Sequence, residues 1–321
     1  MRPDGTNEPG TGSVLGTPQT TQQTSSGTAN TQNNKQDNND GGVERAIAGM
    51  ARIITQTVEP LIMFVGPADC GKSMVMMSLV EYLQSMPGYS FEPNPDYNSL
   101  SSNYAQSCSD FKATLTANAN VPQGGYKTPL PKTVDEVLLD VRIHNTNKYS
   151  MLEAPGEDFF SLSKPEKPLK PYLRNIVTGA ACPIYYVLLM ELHTANNHFN
   201  VPQDNIRPLY EQRLMEIMRI GYKPDRGDRV ILLYNKIDLR SSGISEQRAM
   251  SNLFSTFYTK IKSMPELNRN LMVTRVARYE ELGYVTGDYT TVETDYGKEK
   301  VVYRTTPSIT AKASALWTKL R

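Results

Sequence analysis

Residues 61–73 read LIMFVGPADCGKS, and this stretch decides the fold. Residues 61–65 are a short, fully apolar run between Pro60 and Gly66, the pattern of a strand buried on both faces of a parallel sheet. After the turn, apolar side chains recur at helical spacing as far as the Pro-Gly pair at 87–88, where a helix has to stop. The stretch therefore predicts a strand, a glycine-containing turn and a helix in direct succession.

The turn fits G-x-x-x-x-G-K-[ST] over residues 66–73, a pattern typical of a phosphate-binding loop. Glycine allows backbone angles and close approaches that a side chain would prevent, and the start of the following helix adds unpaired N–H groups and a positive dipole end. The lysine supplies a charge for the outer phosphates, and the serine supplies a hydroxyl for Mg²⁺. The predicted nucleotide contacts here are Gly66, Asp69, Cys70, Gly71, Lys72, Ser73 and Met74, with Ser73 also a metal ligand.

Strand and helix patterns alternate along the rest of the chain. Apolar runs predict strands at 137–144, 149–153, 184–190, 230–234 and 271–276, with a β-hairpin within 284–305. Helical spacing predicts helices at 43–56, 104–117, 170–178, 207–220, 245–263 and 307–320. Because strands joined by helices form parallel sheets covered on both faces, we expect an α/β fold: a three-layer αβα sandwich with a mostly parallel sheet.

Composition divides the chain into a tail and a folded part. Residues 1–42 are rich in Thr, Gly, Asn and Gln and cannot bury enough apolar surface to offset the entropy of ordering, so we expect a disordered tail. Residues 43–321 are enough for one large α/β domain. The net charge of +1 argues against nucleic acid as a partner. Three scattered cysteines, no signal-peptide pattern and no apolar run of about 20 residues predict a cytoplasmic protein without a membrane span.

A second motif, N-K-I-D at 235–238, directly follows the predicted strand at 230–234. Here the chain resembles the P-loop GTPases of the TRAFAC class, in which N-K-x-D selects guanine. The chemistry agrees, because the Asp238 carboxylate can accept both N1–H and the 2-amino group of guanine, a donor pair that adenine lacks. The stem of Lys236 can lie along the base, and Asn235 can tie this loop to the phosphate loop. The resemblance covers residues 58–280 and implies the sandwich fold of P-loop NTPases.

The resemblance also implies the remaining parts of the site. GTPases carry D-x-x-G at the strand end where this chain has E-A-P-G, so Glu153 is expected at Mg²⁺ and the N–H of Gly156 at the γ-phosphate, in a segment that acts as a switch. A threonine on the preceding loop is expected to close over Mg²⁺; the candidate is Thr128, with Thr133 next. Ala277, after the last parallel strand, is the expected backbone contact to guanine.

The implied reaction is hydrolysis of GTP to GDP with Mg²⁺, and Lys72, Gly156 and Glu157 are the expected catalytic residues. Glu157 stands where many GTPases have a water-orienting glutamine, and a carboxylate there repels a γ-phosphate. We therefore expect slow hydrolysis in the isolated chain and a protein effector or activating partner. Whether the chain forms a homodimer or a heterodimer is left open. A P-loop ATPase and a nucleotide-dependent scaffold without significant hydrolysis are the alternatives.

Within the class, the E-A-P-G-E run and the long insertions resemble the bacterial double-GTPase group more than compact Ras-like proteins. Lys72 and Glu153 are 81 residues apart, which is long for one helix and one strand. Loops of this length in a compact domain are usually functional. We therefore expect the inserted segment, residues 88–134, to lie over or beside the nucleotide at the first switch.

Overall fold

Strands and helices alternate along the chain much as the sequence predicts. The computed structural model of the protein describes residues 49, 52–53, 56–68, 70–98, 102–120, 126–127, 136–191, 203–235, 248, 251–252, 254–265, 271–275, 289–293, 299–304 and 308–321. The strands are β1 Leu61–Val65, β2 Tyr89–Pro93, β3 Tyr126–Lys127, β4 Val137–Ile143, β5 Thr146–Glu153, β6 Ile184–Glu191, β7 Arg229–Asn235, β8 Leu271–Arg275, β9 Tyr289–Glu293 and β10 Glu299–Arg304. The helices are α1 Lys72–Gln84, α2 Pro95–Asn98, α3 Ser102–Ala119, α4 Gly156–Phe159, α5 Pro171–Gly179, α6 Gln203–Gly221, α7 Ser255–Ser263 and α8 Ser308–Leu320.

Seven strands form one sheet in the order β2-β4-β5-β1-β6-β7-β8. The five strands from β5 to β8 in this order are parallel, while β4 is antiparallel to both of its neighbours. After β1 the chain builds the β5 side of the sheet and then crosses to the β6 side, so the strand order reverses at β1. In open α/β sheets, ligands bind at the carboxyl end of the strand where the order reverses. The mostly parallel α/β fold predicted from the sequence is confirmed, and the phosphate loop follows this strand.

The centre of the sheet is apolar, as strands covered on both faces require. All five residues of β1 are buried, and the apolar side chains of β6 and of residues 230–233 in β7 are buried beside them. The helices pack in two groups, with α1 against α3 and α8, and α6 against α5 and α7. Right-handed crossovers place the two groups on opposite faces of the sheet, which gives the three layers.

Residues 89–119 extend the edge of the sheet, although the sequence predicts only the helix at 104–117 within the inserted segment. β2 pairs antiparallel with β4 at the edge, and α3, which confirms the predicted helix at 104–117, packs against α1, β2 and β4. The sequence misses β2 because four of its five residues are only half-buried and it ends in a proline, which edge strands tolerate. Residues 121–125 and 128–135 lie outside the described part, so a position beside the nucleotide stays a prediction.

A second sheet has the order β3-β10-β9. β9 and β10 form the antiparallel hairpin predicted within 284–305, and the two residues of β3 pair with the end of β10.

The predicted helix at 245–263 is interrupted, because Phe254 is not helical and α7 begins after it. Within the predicted helix at 43–56, the structure describes residues 49, 52, 53 and 56, and all four are helical. The predicted tail at 1–42 lies outside the described residues. None of the described helices combines the length and the apolar character needed to cross a bilayer.

Candidate functional site

The loop between β1 and α1 forms the centre of the candidate site. Gly71 has a φ of 91°, a left-handed conformation that glycine adopts without strain, and it turns the chain into α1. A Cβ on Gly66 would lie 2.5 Å from Sγ of Cys70, so the loop closes tightly on itself. Cys70 is buried, and its Sγ lies where a side chain on Gly66 would have to be. Its predicted part in phosphate binding therefore falls to its backbone N–H group.

Lys72 is a buried cation, with 6% of its surface exposed. Its Nζ donates hydrogen bonds to two carbonyl oxygens of the loop, that of Gly66 at 3.1 Å and that of Pro67 at 3.0 Å. Among the residues that the structure describes, no carboxylate forms an ion pair with Lys72. Burying a charge without a counter-charge is costly, so this ammonium group is well placed to be neutralised by an anion held in the loop.

The N-terminus of α1 is also open to an anion. No side chain caps its first N–H groups, and its first turn contains no acidic residue. The start of a helix usually has a capping side chain or an acidic residue, because its first N–H groups lack partners within the helix and its dipole end is positive. The side chain of Met74, in the first turn, is partly buried and packs against the core, so any contact of this residue with an anion would be made by its backbone. An uncapped helix start beside a buried lysine is the arrangement that binds phosphate.

Ser73 and Glu153 meet next to the start of α1. The Ser73 hydroxyl donates a hydrogen bond to Oε1 of Glu153, which ends β5 and is almost fully buried. Hydroxyl and carboxylate oxygens suit Mg²⁺, which proteins usually hold with one or two carboxylates together with phosphate oxygens and water. The two residues therefore fit the predicted metal site. The described residues contain no cluster of three or more His, Cys, Asp or Glu side chains that could hold a metal.

Gly156 begins α4 and lies directly against the phosphate loop. A Cβ on this residue would be 2.1 Å from the backbone N of Ala68 and 2.3 Å from the carbonyl carbon of Pro67, so the contact leaves no room for any side chain. The buried rings of Phe159 and Phe160 hold the end of α4 in the core. The structure thus brings Gly156 to the loop, as the resemblance implies.

The two acidic residues after Gly156 have different surroundings. Glu157 is exposed on α4, so its catalytic role stays a prediction. Oδ2 of Asp158 accepts a hydrogen bond of 2.8 Å from the Tyr172 hydroxyl, and Oδ1 lies 3.7 Å from Nζ of Lys170. The backbone oxygen of Asp158 also accepts the Lys170 N–H at 3.3 Å. Asp158 is therefore tied to the start of α5.

A carboxyl group that the sequence analysis missed continues this contact. Glu136, directly before β4, is buried, and Tyr97 of α2 donates to its Oε2 at 3.3 Å. Burial raises the pKa of Glu136 and the charge of Asp158 adds to the rise, while its hydrogen bonds oppose it without cancelling it. The four side chains belong to different elements, so no spacing in the sequence announces the cluster.

We expect Glu136→Gln to change how stability depends on pH. Because the pKa of Glu136 is higher in the folded chain, folding keeps a proton that the unfolded chain releases at a lower pH. Wild-type stability should therefore fall, relative to the variant, as pH rises from the ordinary glutamate value through the raised one. Urea unfolding of both chains from acid to neutral pH measures this difference. A difference that does not change with pH would contradict it.

Other predicted site residues lie at the same edge of the sheet or outside the description. Asn235 ends β7 and is paired with Glu191 of β6, so its backbone lies at the carboxyl edge, two strands from β1. At the usual strand spacing that is about 10 Å across the sheet from the phosphate loop, a span that one nucleotide can bridge. The structure does not describe the remaining predicted residues, which are Asp69, Thr128, Thr133, Lys236, Asp238 and Ala277.

No protein-family model and no curated protein matches the chain. Solved structures with some likeness include the signal recognition particle receptor SRb-GTP/SRX complex from Chaetomium thermophilum, with 12% identity and a TM-score of 0.34 over 68% of this chain and 90% of that one. Another is the Ski7 GTPase-like domain of S. cerevisiae bound to GTP, with 14% identity and a TM-score of 0.36 over 70% of this chain; the matched part is 44% of that chain. The likeness is distant, so the function has to follow from the chain's own residues.

Proposed function

We propose that the chain is a P-loop GTPase that binds GTP with Mg²⁺ and acts as a molecular switch. The observation that carries the proposal is the buried Lys72, bonded to the carbonyls of Gly66 and Pro67 at the uncapped start of α1. A buried ammonium group, a left-handed glycine and a helix start without a side-chain cap together suit a chain of phosphates. This loop also follows the strand at which the sheet order reverses.

Contacts on either side of the loop support the rest of the proposal. Ser73 and Glu153 would hold Mg²⁺, which would neutralise charge on the β- and γ-phosphates. Gly156 touches the phosphate loop, and its N–H would donate a hydrogen bond to a γ-phosphate. A segment that is bound only when a γ-phosphate is present can switch between two arrangements. A protein effector or activator would read this difference.

Guanine is the proposed base because N-K-I-D at 235–238 follows β7. Asp238 would accept the two guanine donors, and the loop start at Asn235 lies at the same edge of the sheet as the phosphate loop. An ATPase has no use for this carboxylate, which places that alternative second. The exposed Glu157 in place of a glutamine favours slow hydrolysis in the isolated chain. The narrower likeness of the chain to the bacterial double-GTPase group stays a hypothesis, which depends on the E-A-P-G-E run and the long insertions.

The Asp238→Asn variant tests the choice of base. An amide can donate as well as accept, so the variant should lose affinity for GTP by about thirtyfold, the effect of losing charge-assisted hydrogen bonds worth about 2 kcal/mol. It should gain affinity for xanthosine triphosphate, whose ring carries a carbonyl in place of the 2-amino group. Titration calorimetry with GTP, ATP and xanthosine triphosphate measures the change.

Asp225→Asn is the matched control, because Asp225 is exposed in the turn before β7, at the opposite end of that strand from Asn235, where the N-K-I-D motif begins. This control should bind GTP as the wild type does. Unchanged GTP affinity in Asp238→Asn, or a wild-type chain that prefers ATP, would contradict the assignment of guanine.

A further inference from the structure

The contacts of Asp158 continue into the segment inserted before β4. Tyr97, in that segment, is fully buried and donates to Oε2 of Glu136 at 3.3 Å, and Tyr172 donates to Oδ2 of Asp158 at 2.8 Å. The charge of Asp158 contributes to the raised pKa of Glu136, so the two hydrogen-bonded pairs lie close together. We call these four residues the Tyr172 chain. Its two hydrogen bonds join α2 to the start of β4, and the first turn of α5 to α4.

Each end of the Tyr172 chain is attached to another part of the fold: one end to β4 and the other to the segment that touches the phosphate loop. The backbone N–H of Tyr97 donates to Oδ1 of Asn94 at 2.9 Å, and the Asn94 amide donates to the buried Asp140 carboxylate at 3.0 Å and 3.1 Å. At the other end, Asp158 lies two residues from Gly156, which touches the phosphate loop. Each end of the Tyr172 chain is therefore attached to a different part of the fold.

Tyr172 is the member of the Tyr172 chain that contacts α4. Its hydroxyl has one proton, and it donates a hydrogen bond of 2.8 Å to Oδ2 of Asp158. Asp158 lies two residues after Gly156 in the same short helix. Removing the Tyr172 hydroxyl would therefore break this hydrogen bond while leaving the buried ring in place.

We propose that Tyr172 is a positioning residue that holds α4, and with it Gly156, against the phosphate loop. The proposal rests on the GTP-binding function proposed above. Tyr172 itself touches no part of the loop in the described contacts; it acts through Asp158. Because Gly156 would meet the γ-phosphate and not the two inner phosphates, the effect of Tyr172 should be confined to triphosphates.

The Tyr172→Phe variant of the full chain tests this by a difference between two ligands. We expect its affinity for the non-hydrolysable analogue GTPγS to fall about fivefold, as for one lost hydrogen bond, while its affinity for GDP changes less than about twofold. Titration calorimetry with Mg²⁺ and each nucleotide gives both values. A loss of folded protein would lower both affinities together, so the ratio separates positioning from stability.

Tyr186→Phe is the matched control. It also removes a hydroxyl from a buried tyrosine, whose oxygen accepts a hydrogen bond of 3.4 Å from Arg226, away from α4. Its ratio of GTPγS to GDP affinity should equal that of the wild type. Asp158→Ala, at the partly exposed end of the Tyr172 chain, should lower the ratio as Tyr172→Phe does, and the double variant should add little more.

The outcomes keep the two proposals apart. If the wild-type chain binds neither nucleotide, the proposed function fails. If it binds both and the ratio is unchanged in Tyr172→Phe and in Asp158→Ala, the proposed function stands and the positioning role is overturned. If Tyr172→Phe does not fold, Asp158→Ala alone decides: a lowered ratio supports the role, and an unchanged ratio overturns it.

Discussion

Replacing Lys72 with methionine is expected to weaken GTP binding about a thousandfold, or about 4 kcal/mol. Methionine keeps most of the buried stem but removes the ammonium group that bonds to the carbonyls of Gly66 and Pro67. A phosphate in the loop would then lose a charge partner in a site largely shielded from water, where such pairs are strongest. Titration calorimetry measures binding, and release of inorganic phosphate measures hydrolysis; both should drop.

Lys148→Met is the control, since Lys148 is exposed near the start of β5, at the end of the strand opposite Glu153. It should bind and hydrolyse GTP as the wild type does. Equal GTP affinity in the Lys72 variant would end the proposal of a phosphate loop. Tight binding by the wild type with no phosphate release above that of Lys72→Met would favour the scaffold instead.

Alanine at Gly156 is expected to lower the affinity for GDP and GTP about a hundredfold, as displacement of a binding loop by about 1 Å can do. The new methyl group would lie 2.1 Å from N of Ala68, and the backbone of Pro67 blocks the other way out. Either α4 or the loop has to shift. Since the loop holds the inner phosphates, both nucleotides should lose affinity, in contrast to Tyr172→Phe.

Gly221→Ala is the matched control for lost stability. A Cβ there would also clash, at 2.7 Å from the Tyr186 hydroxyl and from Cβ of Val177, but at the end of α6. Both variants should melt at a lower temperature than the wild type. Only Gly156→Ala should lose nucleotide affinity when each is measured well below its melting temperature. Equal nucleotide affinities in the two variants would show that the contact of Gly156 with the loop has no role in binding.

The parts of the fold that could be predicted from the sequence are those that local patterns determine. The run at 61–65 is apolar at every position, which a strand covered on both faces needs, and Gly71 has the left-handed backbone that its place in the motif requires. β2 could not be predicted in this way. It lies at the sheet edge with four half-buried residues, so neither an apolar run nor a clear alternation marks it.

The candidate site divides in the same manner. Its motifs are contiguous, so Lys72 and Ser73 could be assigned from their neighbours in the sequence. The contact of Ser73 with Glu153 joins residues 80 positions apart, and only the resemblance pointed to it. The Tyr172 chain has no motif at all, because it depends on which elements the sheet brings together. Sequence patterns report local geometry, whereas such contacts come from tertiary packing.

The pairing of β3 with β10 sets an order on how the chain acquires its structure. Lys127 is paired with Tyr303, 176 residues later. At about 5–20 residues per second, a ribosome would need on the order of ten to thirty seconds to make the partner strand after the first one has emerged. The seven-stranded sheet needs no residue beyond Arg275, so its last strand is made before β10. The three-stranded sheet and the packing of α8 against α1 both need residues made later, so they would be the last parts of the protein to form.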